Sequence, residues 1–194
     1  MTQAQGQRTD TADQILDVAE HLVQVRGFNA FSYADVGAEL ELTNAALHYH
    51  FSTKADLGRA LILRYAARFF EALNEIDESL DDPSRKLAAY IDLYADVLRR
   101  KRMCLCGMLA AEYETLSTDM QTAVADFFKT NETWLAEVLR RGRSDGTLSF
   151  VGSPLDEARS IVSALEGAML IARSVGDTKR FQSAARHLLA ALHQ

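Results

Sequence analysis

The sequence is poor in residues that interrupt helices, and it lacks long apolar runs. Only two prolines, Pro83 and Pro154, occur in 194 residues, and no stretch shows sustained β-type alternation. No run approaches the roughly 18–20 uncharged apolar residues that a membrane-spanning helix needs. The polar N-terminus has no apolar signal segment. We therefore expect an all-α protein, located in the cytoplasm and without membrane contact.

Cysteine is scarce as well. The two cysteines, Cys104 and Cys106, lie one residue apart and cannot connect distant segments, which fits a reducing compartment. Two neighbouring cysteines without further ligands nearby make a poor zinc site. The chain also has no HExxH motif, no phosphate-binding glycine loop and no Ser/His/Asp spacing. We expect no metal, no cofactor and no enzymatic activity.

Positive charge is sparse where a nucleic-acid partner would need it. The net charge is −6, and residues 1–60 contain four Lys or Arg against eight Asp or Glu. Phosphate contacts normally supply most of the attraction to DNA. A broad basic binding face is therefore excluded, and any DNA binding must depend on a few well-placed groups. The 48% hydrophobic content still indicates a globular chain with a sizeable core.

The stretch from Ser32 to Phe51 predicts two short helices joined by a tight corner. Ser32 is a typical N-cap, and Asp35 can reach back to it as in a capping box. Thr43 can cap the second helix, and Gly37 lies where the helices cross, so a side chain larger than alanine would separate them. The apolar residues that would lock the pair together are Val36, Leu40, Leu42 and Leu47.

The second of these helices carries an unusual outer face. Its outward residues are Asn44, Ala45, His48 and Tyr49, which are small, hydrogen-bonding or aromatic rather than salt-bridge formers. A helix that enters the DNA major groove needs such a face. Spacing alone is equally compatible with an ordinary helical hairpin.

Longer helices flank this pair. A helix is predicted from about Ala12 to Arg26, and Gly27 ends it. Ser52 or Thr53 begins a long helix with Lys54 in its first turn, either as an exposed lysine or as a phosphate clamp at a positive helix end.

The order of these features resembles the DNA-binding domain of the TetR family of transcriptional repressors, over roughly Thr11 to Leu63. The family pattern Leu/Ile-Tyr-x-His-Phe-x-x-Lys-x-x-Leu is matched by Leu47, His50, Phe51, Lys54 and Leu57. His48 stands where the family most often has tyrosine, and Glu41 replaces the usual turn glycine.

The resemblance implies roles for individual residues. Base edges would be contacted by Thr43, Asn44, Ala45 and His48. Sugar and phosphate would be contacted by Tyr49 and His50, with the DNA backbone clamped by Ser32, Tyr33 and Lys54. His50 has a structural alternative, as a brace of the turn. Operator DNA would be bound by a dimer whose two recognition helices lie about one DNA turn apart.

We expect a flexible tail over residues 1–10, the helix-turn-helix domain over 11–55 and a larger helical domain over 56–194. In the last domain, helices are predicted to begin near Pro83, Cys104, Ser117, Pro154 and Asp177. The two C-terminal helices are rich in small residues, which either pack within one subunit or form a seam with a second copy. The residues of this seam are Ala164, Gly167, Ala168, Ala172, Ala184, Ala185 and Leu188. The resemblance favours the homodimer.

The resemblance also implies a pocket for a small, largely apolar effector in the second domain. We expect its walls to include Phe69, Tyr94, Tyr113 and Trp134. Cys104 and Cys106 are either small buried hydrophobes or sensing thiols near a helix start and the basic Lys101 and Arg102. The pattern from Cys104 to Glu112 is similar to that of electrophile-sensing members of the family.

These features predict a ligand-responsive repressor that binds operator DNA as a homodimer and is released by a small-molecule effector. Two alternatives stay open. One is a repressor that senses redox state or electrophiles through Cys104 and Cys106. The other is a helical protein-interaction module that does not bind DNA. The acidic N-terminal region (residues 1–60, the head) would suit such a module.

Overall fold

A computed structural model describes the backbone of residues 2–192 and the side chains of residues 10–192. Within the described chain the regular elements are nine α-helices and one 3-10 turn, without a strand. The helices are α1 (Thr2–Arg26), α2 (Tyr33–Leu40), α3 (Asn44–His50), α4 (Lys54–Ser79), α5 (Pro83–Arg99), α6 (Leu105–Ala111), α7 (Thr118–Asp145), α8 (Pro154–Ser174) and α9 (Lys179–Ala191), and the 3-10 turn is Tyr113–Thr115. The predicted all-α fold is confirmed.

Helix α1 begins about ten residues earlier than expected. Its backbone is helical from Thr2, although a flexible tail was predicted for residues 1–10. Residues 2–11 contain no proline and include alanine, arginine and three glutamines, all of which favour helices. Met1 lies outside the described residues.

Side-chain caps begin most of the short helices where the sequence places them. The Asp35 carboxylate accepts hydrogen bonds from the Ser32 amide (2.7 Å) and hydroxyl (2.6 Å), and the Thr43 hydroxyl accepts one from the Ala46 amide (3.2 Å). Asp82 caps α5 and Ser153 caps α8 in the same manner. Helix α9 differs, because its N-cap is Thr178 and not Asp177.

The chain forms two compact units, and each unit combines two segments that are separate in sequence. Unit 1 contains the residues up to Ala66 and Leu105–Ala125, and unit 2 contains Ala67–Cys104 and the residues from Asp126 onward. Segment 105–125 therefore belongs with the helix-turn-helix, whereas the domain boundaries expected from sequence run strictly along the chain. Helices α4 and α7 each contribute residues to both units.

Unit 1 has the core that the apolar spacing predicts. At most 6% of the surface of any of its main members is exposed, and these are Ile15, Leu22, Phe28, Val36 and Leu47. Phe51, the residue that follows α3, is half-buried. In the corner between α2 and α3, Glu41 has φ 55°, the left-handed conformation that a glycine normally supplies. The corner therefore forms without the glycine typical of the family.

Unit 2 is built on the apolar faces of α5, α7, α8 and α9. Helix α8 packs on α9, and α5 contacts both. An apolar stripe on α5 is buried, including Leu87, Tyr90 and Tyr94. On α8, Met169 is buried, whereas Leu170 is 47% exposed because the next helical position turns about 100° away from the core.

Helix α2 approaches the corner so closely at Gly37 that even a methyl group does not fit. A Cβ atom there would lie 2.6 Å from the Leu42 carbonyl oxygen. We predict that Gly37→Ala lowers the free energy of unfolding by about 1–3 kcal/mol through overpacking, measured by urea titration. Glu39→Ala, an exposed change on the same helix, is the control. Equal stability of the two variants would contradict the close approach.

Candidate nucleic-acid interface and effector core

The outer face of α3 is presented to solvent as the sequence predicts. Leu47 is buried beneath it, while Thr43, Asn44, Ala45 and His48 are exposed. The Tyr49 ring is 66% exposed. An exposed amide such as that of Asn44 has both the donor and the acceptor needed to bind an adenine edge bidentately.

His48 and Tyr33 connect this face to its support. The His48 Nδ1 lies 3.0 Å from the Ser52 carbonyl oxygen, so Nδ1 carries the proton and Nε2 is the acceptor in the neutral ring. Its ring lies 4.6 Å from the Tyr33 ring, and the Tyr33 hydroxyl donates to the Phe51 carbonyl oxygen at 2.7 Å. Burial, with a smaller effect of Asp56, raises the pKa of Tyr33 to about 12. Tyr33 therefore braces α2 against the end of α3.

Lys54 is turned toward the protein. Its ammonium group donates to the carbonyl oxygens of Phe28 (2.6 Å) and Phe31, and it lies 4.6 and 4.4 Å from the centres of their rings. Burial lowers the pKa of Lys54, while the charges of Glu112 and Asp35 act in the opposite direction. These contacts hold the loop between α1 and α2, a role that the clamp prediction did not include.

A shallow cleft of about 260 Å³ lies beside α3. Four residues predicted to contact DNA line it, together with Phe31. They are Ser32, Tyr33, His48 and Lys54. The Ser32 hydroxyl donates to the Asp35 carboxylate, so one polar group of the cleft is already used in a structural hydrogen bond.

Glu112 is a central residue of the same unit that the sequence did not single out as a site. Its carboxylate accepts from the Phe28 amide at 2.6 Å and from the Asn29 amide at 3.3 Å. Gly27, with φ 96°, is required there, since a Cβ atom would lie 2.9 Å from Glu112 Oε1. The only sequence clue was its place in the pattern that begins at Cys104.

Four of the eight acidic residues among residues 1–60 make structural hydrogen bonds or ion pairs. Arg64 of α4 pairs with Asp17 at 2.9 Å and with Glu20 at 3.2 Å. Asp35 caps α2, and Asp56 accepts from the Thr53 amide and hydroxyl at 3.0 and 2.8 Å. The unfavourable charge balance is thus partly neutralised by structural pairs.

Three of the four predicted effector-pocket residues belong to unit 2. The Phe69 ring lies 6.2 Å from Tyr94, and the Trp134 ring stacks on Tyr90 at 5.6 Å. Tyr113 belongs to unit 1 and is 43% exposed. Tyr113 therefore does not join the other three expected wall residues in unit 2, because α6 ends at Ala111 and its helical spacing does not reach residue 113.

A buried polar group accompanies these rings. The Asn131 amide donates to the Tyr94 hydroxyl at 3.0 Å, and this hydroxyl lies 3.1 Å from that of Tyr90. The Cys104 thiol donates to the Glu166 carboxylate, and burial raises the pKa of Glu166 to about 7. Neither Asn131 nor Glu166 was predicted. Each is a polar residue at helical spacing among apolar ones, which was the available clue.

Both cysteines are buried, with at most 2% exposure, and they fall in different units. Helix α6 starts at Leu105, one residue after Cys104. Within the described residues, no group of three or more His, Cys, Asp or Glu side chains could hold a metal ion. No helix in this part of the chain has the apolar length needed to cross a membrane.

The predicted dimer seam is divided between buried and open positions. Ala172 and Ala185 are buried within the subunit, and the other predicted residues are half-buried. A Cβ atom at Gly167 would meet no other atom within 4 Å. The same helix exposes Ile171 (54%) and Val175 (49%), which the prediction did not include.

Comparison with known proteins places the chain in a family. The model of bacterial regulatory proteins of the tetR family matches residues 15–61, and that of the LmrA/YxaF-like transcriptional regulator C-terminal domain matches residues 83–187, more than half of the chain. The chain belongs to the TetR family of transcriptional regulators.

Individual TetR-family proteins are similar over nearly the whole chain. A TetR-family regulator from Agrobacterium tumefaciens shares 31% identity, with a TM-score of 0.94 and coverage of 96% of this chain and 100% of that one. A TetR regulator from Legionella pneumophila shares 31% identity, with a TM-score of 0.85 over 94% and 97% of the two chains. The HTH-type transcriptional repressor NemR of Escherichia coli (strain K12) is 26% identical over 183 residues, 92% of each chain.

The inward position of Lys54 can be tested in this TetR-family head. We predict that Lys54→Met lowers the free energy of unfolding by about 1–3 kcal/mol, because two carbonyl groups lose their donor. Urea titration measures this, with Arg59→Met, an exposed change on α4, as the control. Unchanged stability together with a salt slope of DNA binding reduced by roughly 0.9 would instead identify a phosphate clamp.

Glu166 should make stability depend on pH. Its folded pKa of about 7 lies above the ordinary value of 4.5, so between these values the folded chain binds more protons than the unfolded chain. The contribution of Glu166 to the free energy of unfolding is greatest below about pH 4.5. It falls by up to roughly 3 kcal/mol as the pH rises to about 7, and it is constant at higher pH.

The measurement is urea unfolding at fixed protein concentration between pH 5 and pH 8, for the wild type and for Glu166→Gln. The stability of the wild type relative to this variant should fall as the pH rises. Glu71→Gln, at an exposed position of α4, should show no such trend. A constant difference between wild type and Glu166→Gln would show that the Glu166 carboxyl does not titrate in this window.

Proposed function

We propose that this chain represses transcription as a homodimer that binds operator DNA through α3 and is released by a small-molecule effector. The observation that carries the proposal is the exposed polar face of α3, held over buried Leu47. The name of the NemR relative supports repression rather than activation. We infer that the protein is a cytoplasmic regulator and not an enzyme.

In the proposed complex, Asn44 provides the main base contact, beside Thr43, Ala45 and His48. Tyr49 and His50 contact sugar and phosphate. The cleft between Ser32 and His48 receives a backbone phosphate at the edge of the major groove. Lys54 contributes mainly by fixing the loop that forms one side of this cleft, since its ammonium group is bound to carbonyl oxygens.

Two operator half-sites require two copies of the head. The open position at Gly167 and the exposed Ile171 and Val175 support a partner copy against α8. The seam would contain Ala164, Ala168, Ala184 and Leu188, while Ala172 and Ala185 help to pack α8 on α9 within each subunit.

Release by the effector would act through population shift. An effector that binds one packing of unit 2 more tightly than another shifts the equilibrium toward that packing. Because α4 and α7 contribute residues to both units, they are the proposed route to the recognition helices. The walls of the effector site would include Phe69, Tyr94 and Trp134. Thiol sensing by Cys104 or Cys106 is less well supported, since both thiols are buried.

A gel-shift titration on DNA flanking the chain's own gene tests the proposal. We expect a specific, salt-sensitive complex at submicromolar protein, and Asn44→Ala should weaken it by about 1–3 kcal/mol through the lost base contact. Nonspecific binding should be unchanged, and Glu39→Ala serves as the control. Absence of any specific complex would reject the repressor, and full affinity of Asn44→Ala would reject the assigned base contact.

A further inference from the structure

Unit 2 contains a buried polar cluster within its aromatic core. Its members come from four parts of the chain and are Tyr90, Tyr94, Cys104, Asn131 and Glu166. Tyr90, Tyr94 and Asn131 are at most 3% exposed. Burial raises the pKa of both tyrosines, and the charge of Glu166 acts in the same direction.

Two acceptor atoms of this cluster are unpaired. Among the described residues, neither Asn131 Oδ1 nor Glu166 Oε1 has a hydrogen-bond partner, and both atoms are shielded from solvent. Buried polar groups are nearly always paired in native proteins, so each exception requires an explanation. Two unpaired acceptors in one core therefore indicate a binding partner that supplies hydrogen-bond donors.

The charge of the cluster specifies which donor fits. Glu166 is the acidic member of the cluster, and none of its other named members, Tyr90, Tyr94, Cys104 and Asn131, is a base. Lys86, a buried base of the same unit, is paired with Asp77 at 2.6 Å. A cation would therefore complete the site, whereas an anion would be repelled by the carboxylate.

The surrounding rings favour a cation as well. Phe69 lies 6.4 Å from Tyr90 and 6.2 Å from Tyr94, and Trp134 stacks on Tyr90. The faces of such rings attract cations, and they also accommodate the apolar part of an organic molecule.

We propose that the effector is an organic cation with a protonated amine or amidine nitrogen, which Glu166 and Asn131 receive between the aromatic rings. This inference rests on the proposed effector-released repressor and specifies the chemical class of its ligand. The nitrogen donates charge-assisted hydrogen bonds to the two unpaired acceptors. An amidine or ammonium group has enough N–H donors to serve both.

Entry of such a ligand involves the helices that belong to both units. Phe69 on α4 and Trp134 on α7 are half-buried, unlike the enclosed Tyr90 and Tyr94. These two rings are therefore the part of the aromatic cluster that a ligand meets first from solvent, and the Trp134 indole donates to the Asp77 carboxylate at 2.8 Å. The binding event then acts directly on α4 and α7.

A matched series of probes tests the inference without DNA. Cyclohexylmethylamine, cyclohexylmethanol and cyclohexanecarboxylate share one ring and differ in the charged or polar group. None absorbs where tryptophan does, and Trp134 is the only tryptophan, so its fluorescence reports on the surroundings of this ring, which stacks on Tyr90. We expect the amine to bind at least roughly tenfold more tightly than the alcohol, and the carboxylate not to bind.

The Glu166→Gln variant keeps the size of the side chain and removes its charge. It should lower the affinity for the amine to that for the alcohol, while Glu71→Gln should bind the amine as the wild type does. The inference is overturned if the amine fails to bind the wild type, if the alcohol or carboxylate binds as tightly, or if Glu166→Gln leaves the amine affinity unchanged. The order of the three probe affinities for the wild type tests the inference even if Glu166→Gln does not fold.

The outcome is separable from that of the repressor proposal. Binding of the probes is measured on the protein alone, so a chain that binds no specific DNA would still give this result. Conversely, a specific DNA complex without amine binding would reject the cationic effector and leave the repressor in place.

Discussion

The head of this protein depends on the ionic and hydrogen-bonded ties around Phe28. The Glu112 carboxylate accepts from the Phe28 and Asn29 amides, and the Lys54 ammonium donates to the Phe28 and Phe31 carbonyl groups. The loop between α1 and α2 is thereby held from two sides by residues distant in sequence. Helix α2 follows this loop and supports α3 through Val36 and Tyr33, so the orientation of the recognition face depends on these ties.

The use of acidic residues in structural contacts also explains how an acidic head can bind DNA. Asp35 and Asp56 serve as helix-start acceptors, and Asp17 and Glu20 pair with Arg64. Two of these carboxylates are therefore paired with a base, and the other two accept hydrogen bonds at helix starts. The outward face of α3 contains no lysine, arginine or carboxylate, which shifts the expected recognition from general phosphate attraction toward direct contacts with bases.

Local patterns allowed much of the fold to be predicted, because caps and helical stripes depend on residues three or four apart. Ser32, Thr43, Asp82 and Ser153 begin helices where expected. The contacts of Lys54 and Glu112 could not be predicted in this way. The bond from Phe28 to Glu112 joins residues 84 positions apart, and nothing in the neighbourhood of either residue indicates the other. The prediction that Tyr113 lines the effector pocket missed a local feature, because α6 ends at Ala111 before its helical spacing reaches this residue.

The unpaired acceptors of unit 2 connect its energetics to the proposed switch. Leaving a buried acceptor without a donor costs roughly 1–3 kcal/mol, so a ligand that supplies donors to Asn131 Oδ1 and Glu166 Oε1 gains an energy of this order at each acceptor. A ligand that satisfies both recovers this energy only in the packing that admits it. Moving a two-state equilibrium from 1:99 to 99:1 requires about 5.5 kcal/mol of differential affinity. Two such acceptors provide about 2–6 kcal/mol, a range whose upper end includes this value, whereas the range for one acceptor does not reach it.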